Sequence, residues 1–378
     1  MTDVIILQRA LPHTRLRLFT RLWEEFGWKV VSAQNPPKYK LQVDGDYEFL
    51  ERYDFRFPNS DNPYRCDIPL GKILRETGAK AVISEFSMRM SSTFDLVARR
   101  RLMGGPVTLF WSHGYNMDRG LGGLRRSLIQ WPRSMLAALA DGHVCYSEEG
   151  RDYLSRYMSS DRLFVARNTV DVTHMQAIAR NTVAAIPPGR PHIMTIGRLT
   201  LDKDFPRLVR IFHRLCEDFP SAALTIIGDG VDTERTRVAA GSSLGDSIIM
   251  TGAIYEEEEL APLLLSADAV VFTGAVGLSV NHVLAYGVPV IAFDRTPTGP
   301  YHHPEIAYVV DGITGYRVPQ NTDEALFTTL RDFFTRHADP KAEFRDSIED
   351  YVAKNLTIDT YVEDFREVNN FIQELLRK

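Results

Sequence analysis

One pattern constrains the fold more than any other: short β-branched or apolar runs alternate with stretches of helical apolar spacing along the whole chain. A strand followed by a helix and then another strand must cross over to pair in parallel, so the alternation predicts βαβ units and an α/β architecture. In the first half the runs fall at 4–7, 29–33, 81–84, 107–111, 142–146 and 163–166. Leu16, Leu18, Phe19, Leu22 and Phe26 recur near a 3.6-residue period, which leaves Leu11 to Thr14 in a β-to-α loop. The second half repeats the plan, with strands at 193–196, 223–227, 247–251, 269–272 and 289–293 and helices at 205–219, 279–285 and 322–337. Residues 358–376 repeat Val362, Phe365, Val368, Ile372, Leu375 and Leu376, the spacing of a terminal helix.

Pro187, Pro188 and Gly189 interrupt the pattern just before a fresh strand, which predicts a domain boundary there: residues 1–185 in one doubly wound domain and 190–355 in a second. A length of 378 residues supports two cores. Open parallel sheets bind ligands at the carboxyl ends of their strands, and two in tandem suggest a central cleft between them. Cys66, Cys145 and Cys216 are odd in number and lack a CxxC pair, which argues against a disulfide framework and a thiolate zinc site and fits a reducing cytoplasm. Asp3 and the short run that follows do not read as a secretory signal, and no apolar stretch approaches the ~20 residues of a spanning helix. Of 44 basic and 49 acidic residues, 26 and 20 lie in residues 1–180, leaving 18 and 29 in the rest. A basic half can face an anionic partner such as a lipid surface, at the inner face of the membrane. Arg125, Arg126, Trp131 and Arg133 lie among Leu124, Leu128, Met135 and Leu136, a segment expected to be a helix with an apolar core face and a solvated face.

The residues that carry chemistry cluster at the ends of the predicted strands. Gly197 and Arg198 turn out of one strand and Lys203 precedes the next helix; backbone N–H groups, a forked guanidinium and an ammonium together suit a phosphate. Gly228, Asp229 and Gly230 close one strand and Thr251 and Gly252 another, small residues that let a flat ligand such as a base approach the backbone. Gly274, Gly277 and Leu278 form a loop before a helix that starts near Ser279 and carries His282. Asp44-Gly45-Asp46 and Asp202-Lys203-Asp204 resemble metal-binding DxD strings but read as turns, and His302, His303 and Glu305 lack a spaced third ligand.

The order of Gly197-Arg198-Leu199, Lys203, Gly228-Asp229-Gly230, Thr251-Gly252, the glycine loop, Ala285-Tyr286-Gly287-Val288-Pro289 and Asp311-Gly312-Ile313-Thr314-Gly315 resembles the C-terminal domain of retaining GT-B glycosyltransferases of family 4, across residues 193–318. In the first half, Trp111-Ser112-His113-Gly114-Tyr115-Asn116, Tyr146-Ser147-Glu148-Glu149-Gly150 and Arg167-Asn168-Thr169-Val170-Asp171 look like members that assemble bacterial cell-surface polysaccharides. The resemblance implies two Rossmann-like domains, with helix 356–378 crossing back to the first. It implies sugar transfer from a nucleotide-sugar donor to a glycan or lipid-linked acceptor, with anomeric retention and no metal or other cofactor. Arg198 and Lys203 would hold the diphosphate and neutralise the leaving group, and His113 would meet the donor sugar. Gly197, Gly228, Gly230, Thr251, Gly252, Gly277, Leu278, Ser279 and His282 would line the nucleotide. The loop 298–305 would flank the donor, and residues 11–15 with the loop after His113 the acceptor.

The family's two glutamates, with seven residues between them, fall on Gly274 and His282. Gly274 offers only backbone; an imidazole can still bond a ribose hydroxyl close to the Arg198 site. Two other readings stay open: a nucleotide-sugar epimerase, which shares the double-Rossmann plan, and a catalytically silent GT-B protein that binds sugar.

Overall fold

The computed structural model describes residues 3–34, 45–58, 65–115, 123–296 and 299–378. Asp44, Asn116, Thr298 and the side chains of Leu124, Arg125 and Arg126 lie outside them. The chain divides into two compact units, Met1–Asn168 with Ile358–Lys378, and Thr169–Thr357.

In the first unit a β-strand and helix alternate as β1 (Val4–Leu7), α1 (Leu16–Phe26), β2 (Lys29–Ala33), β3 (Leu50–Tyr53), α2 (Leu70–Thr77), β4 (Ala81–Glu85), α3 (Ser91–Met103), β5 (Val107–Ser112), α4 (Gly123–Ala138), β6 (Gly142–Cys145), α5 (Glu148–Leu154) and β7 (Leu163–Val165). The described strands form one parallel sheet in the order β3-β2-β1-β4-β5-β6-β7, with Ile5 opposite Val82 and Ile83 opposite Leu109. β1, β5 and β6 are buried along their whole length, as a parallel sheet covered on both faces demands.

The second unit contains α6 (Val172–Arg180), β8 (His192–Ile196), α7 (Phe205–Leu215), β9 (Ala223–Ile227), α8 (Thr233–Ala240), β10 (Ile248–Gly252), α9 (Glu257–Ser266), β11 (Ala269–Phe272), α10 (Ser279–Ala285), β12 (Val290–Phe293), β13 (Gly315–Val318), α11 (Asp323–Arg336) and α12 (Pro340–Asn355). Its sheet is again parallel, in the order β10-β9-β8-β11-β12-β13. The last helix, α13 (Ile358–Arg377), belongs to the first unit. Its Phe365 ring sits edge-on to Trp28 and Trp111, 5.9 and 5.0 Å away, and Val368 and Ile372 are fully buried beside them.

Three features depart from the sequence expectation. The change of unit falls at Thr169, ahead of the Pro187-Pro188-Gly189 stretch, because α6 packs against α9 and α10 and Thr169 donates its hydroxyl to the Leu356 carbonyl at 2.5 Å. The return to the first unit falls at Ile358. On α4 the outer face is not polar: Leu128, Trp131 and Met135 are exposed, with Leu139 just beyond, while Leu136 is half-buried. No helix among the described residues is long and apolar enough to cross a membrane.

Candidate active site

In the second unit the ends of β8, β9, β11 and β12 carry loops that are bonded to one another. Leaving β8, Gly197 donates its N–H to Ile227 (3.0 Å) and Leu199 to Asp229 (3.0 Å). This lays the Gly197-Arg198-Leu199 turn directly on Gly228-Asp229-Gly230. A Cβ on Gly228, whose φ is +143°, would stand 1.9 Å from the Gly197 carbonyl oxygen, and one on Gly230 would stand 2.2 Å from that of Leu199. What these glycines admit is therefore protein backbone, not the flat ligand expected from the sequence. Gly197 and Gly252 differ, since a Cβ on either would meet no atom within 4 Å. Thr251 beside Gly252 is exposed, its hydroxyl turned back to the Gly252 carbonyl at 2.9 Å. A ligand can approach the backbone at Gly197 and Gly252.

Arg198 is exposed at this end, and its guanidinium has no hydrogen-bond or ion-pair partner among the described residues. Lys203 is employed differently: its ammonium donates to the Ala275 carbonyl. Further bonds tie the same two loops, from Ala275 N–H to the Asp202 carbonyl (3.2 Å) and from the Thr273 hydroxyl to the Lys203 and Asp204 carbonyls (2.9 Å each). Asp204 enters α7 with φ +50°, a left-handed conformation that Asp tolerates better than most residues.

Gly274 lies where these loops touch. A Cβ there would fall 2.1 Å from the Asp202 carbonyl oxygen and 2.3 Å from the Lys203 Cα. The position at which the resemblance expects a carboxylate thus has no room for any side chain. The loop's far side rests on His302, whose Nδ1 accepts from the Val276 N–H at 3.1 Å. Burial, with help from Arg295 and Lys203, pushes the His302 pKa down to about 4, so the ring is neutral and carries its proton on Nε2. Leu278 and Ser279, both half-buried, start α10, and Gly277 has ordinary space around it, with His303 at 3.7 Å.

His282, on α10, holds Glu257 Oε2 through Nε2 at 2.9 Å, and its ring stacks on Tyr286 at a centroid distance of 5.8 Å. Tyr286 donates to the same carboxylate oxygen at 2.8 Å. Burial works against the Glu257 charge, but these bonds outweigh it and hold Glu257 below the usual carboxylate range. One ring nitrogen is thus taken, and only Nδ1 remains for a nucleotide. Sequence reasoning passed over Glu257, one of four consecutive glutamates. A signal existed: Glu257 is spaced three, four and seven residues from buried Leu260, Ala261 and Leu264, on the inner face of α9.

In the first unit His113 follows β5, half-buried, with its ring 4.9 Å from that of Tyr146. Its neighbours are fixed: Ser112 Oγ bonds His143 Nε2 (2.9 Å) and accepts from Gly114 N–H (3.1 Å), while Arg133 donates to the Gly114 carbonyl (2.9 Å). Burial, and then Arg133, pushes His143 down to about 3. No three His, Cys, Asp or Glu side chains gather as a metal site among the described residues.

Residues 180–354 match the family model described as Glycosyl transferases group 1. No curated protein matches the chain in sequence. Among solved structures, sucrose-phosphate synthase from Thermosynechococcus elongatus aligns with a TM-score of 0.70 at 16% identity over 100% of both chains. The lipopolysaccharide outer core galactosyltransferase WaaB aligns at 0.64 and 17%, over 98% of this chain and 99% of that one. A TarM variant from S. aureus, in complex with fondaparinux, α-GlcNAc-glycerol and UDP, aligns at 0.56 and 14%, and this chain's alignment spans 57% of that chain's length. The two parallel-sheet units have the GT-B architecture of these neighbours. Residues 180–354, just under half of the chain, thus match a family of enzymes that transfer sugar groups.

Proposed function

We propose that this chain moves a hexose from a nucleotide-sugar donor, bound by the second unit, to a glycan or lipid-linked acceptor, bound by the first, in the assembly of a cell-surface polysaccharide. The observation that carries the donor assignment is Arg198: an exposed, unpartnered guanidinium beside the open Gly197 turn, within the unit that matches the family. Departure of a nucleoside diphosphate builds negative charge on its phosphate, and a cation fixed there stabilises the transition state more than the ground state. Arg198 takes that role in place of a metal, and Lys203 holds the loop that presents it. Thr251 and Gly252 border the base, Gly277, Leu278 and Ser279 the phosphates, and His282 a ribose hydroxyl through Nδ1. His113 serves the donor sugar. The likeness to a lipopolysaccharide galactosyltransferase and to a UDP-bound TarM supports the substrate class.

Retention follows if the acceptor attacks from the face the phosphate leaves, with that phosphate as base. The first unit also makes a peripheral contact with anionic membrane. Supporting it, α3 and α4 carry six arginines against one acidic residue, Asp95, and expose Phe94, Leu102, Trp131 and Met135. The test is incubation with nucleotide sugars followed by proton NMR. Slow release of sugar with its anomeric configuration kept is the expected result; release of the inverted anomer, or an epimerised donor, overturns the reading.

A further inference from the structure

We propose that the first unit binds an anionic group of its acceptor, a phosphate or a carboxylate, on the guanidinium of Arg15; the word acceptor rests on the transfer reading above. The strand order of this sheet reverses direction between β1 and β4, so the loops after these strands diverge and open a crevice at their carboxyl ends. Arg9, just after β1, grips Glu85 at the end of β4 with both Nε, at 3.0 Å, and Nη2. The carboxylate at the crevice is thereby neutralised by one arginine.

A second arginine lies beside them without a carboxylate of its own. Arg15 is half-buried, its guanidinium 4.8 Å from the centroid of Trp111 and 5.1 Å from that of Tyr146. One Nη donates to the Tyr146 hydroxyl at 2.5 Å, and the rest of the fork meets no hydrogen-bond acceptor among the described residues. Its charge lies over aromatic faces, where water screens it little, and Glu85, already held by Arg9, acts on it only electrostatically. Two further features add to the positive potential. Arg15 stands at the start of α1, whose first turn holds no acidic residue and has no side-chain cap, so the helix dipole leaves its positive end there. His113, its ring 4.9 Å from that of Tyr146, brings an imidazole to the same strand ends. A planar fork with its stem fixed by stacking and one corner fixed by a phenol is preorganised for two oxygens of one oxyanion. A phosphate ester and the carboxylate of an acidic sugar both offer that pair.

Thermal unfolding of the full chain tests this, titrated in parallel with inorganic phosphate, glycerol 3-phosphate, glucuronate and UDP. Arg198→Ala serves as the background in which phosphate binding by the second unit is removed. In that background, phosphate or glucuronate still raises the melting temperature, and Arg15→Met abolishes the rise. Arg15→Lys, which keeps charge but loses the fork, weakens the affinity about tenfold and keeps the site testable should Arg15→Met fold poorly. Which anion responds distinguishes a phosphate ester from an acidic sugar. A rise that survives Arg15→Met, or equal affinity in Arg15→Lys, overturns the inference while the UDP response stands. Failure of UDP and the other nucleoside diphosphates to bind the unaltered chain overturns the donor reading, whatever Arg15 does.

Discussion

Replacing Gly274 by alanine adds one carbon where the structure has no space for it. The new Cβ would meet backbone, the Asp202 carbonyl at 2.1 Å and the Lys203 Cα at 2.3 Å, and backbone cannot swing aside as a side-chain tip can. The two loops must separate, which loosens four bonds: Ala275 N–H to Asp202, Thr273 hydroxyl to Lys203 and to Asp204, and the Lys203 ammonium to Ala275. At roughly 1 kcal/mol net per bond, less what relaxation recovers, the loss is about 2 to 4 kcal/mol. For a unit of this size that lowers the melting temperature by roughly 5 to 15 °C. Calorimetric unfolding of Gly274→Ala and Gly274→Glu checks it, and both should fall together, because the first carbon does the damage. Gly277→Ala is the control, since its Cβ would find ordinary contact with His303 at 3.7 Å. Gly274→Ala melting within about 1 °C of the unaltered protein would refute the reasoning.

Arg198→Ala should weaken nucleoside diphosphate binding about a hundredfold or more, about 3 kcal/mol, with an unchanged melting temperature, whereas Lys203→Ala should lose both because its ammonium also supports Ala275. His282→Ala and Glu257→Ala should each weaken the nucleotide, and the double variant no further than His282→Ala alone; additive losses in calorimetry would show that Glu257 does not act through the imidazole. His302 titrates near 4 when folded and about 6.5 when unfolded, so between these values only the unfolded chain takes the proton. Stability therefore rises with pH across that window, and about 3 kcal/mol is lost as pH falls through it; His302→Gln should flatten the slope in pH-dependent denaturation, and an unchanged slope would exclude His302 as its source. Trp131→Ser with Leu128→Ser should reduce sedimentation with anionic liposomes at low salt, and no binding by the unaltered chain would favour a soluble acceptor.

The sheets were legible because their central strands are continuous apolar runs: β1, β5, β9 and β11 fall where the pattern put them. The edges were not. In β3 only Tyr53 of Leu50–Tyr53 is buried, and β13 alternates between buried Gly315 and Val318 and a solvated middle, so neither carries the signal of a covered strand. Helix α12 escaped notice because its buried residues, Phe344, Ile348 and Val352, are spread thinly among charges. Periodicity also misled on α4, since it reports an apolar stripe without saying whether protein covers it. At the site, the glycines stood out in sequence but their reason did not. Gly228, Gly230 and Gly274 admit neighbouring backbone, a fact of tertiary packing that spacing cannot carry. The Glu257–His282 pair joins two helices and was equally out of reach.

The donor reading requires that the second unit bind the diphosphate of a nucleotide sugar on Arg198. Calorimetric titration of UDP, GDP, TDP and ADP into the full chain and into Arg198→Ala, with EDTA present, tests it most directly. At least one nucleotide should bind the unaltered chain without metal and bind Arg198→Ala about a hundredfold more weakly, about 3 kcal/mol. Equal affinity for both proteins, or binding only when a divalent ion is restored, would contradict it.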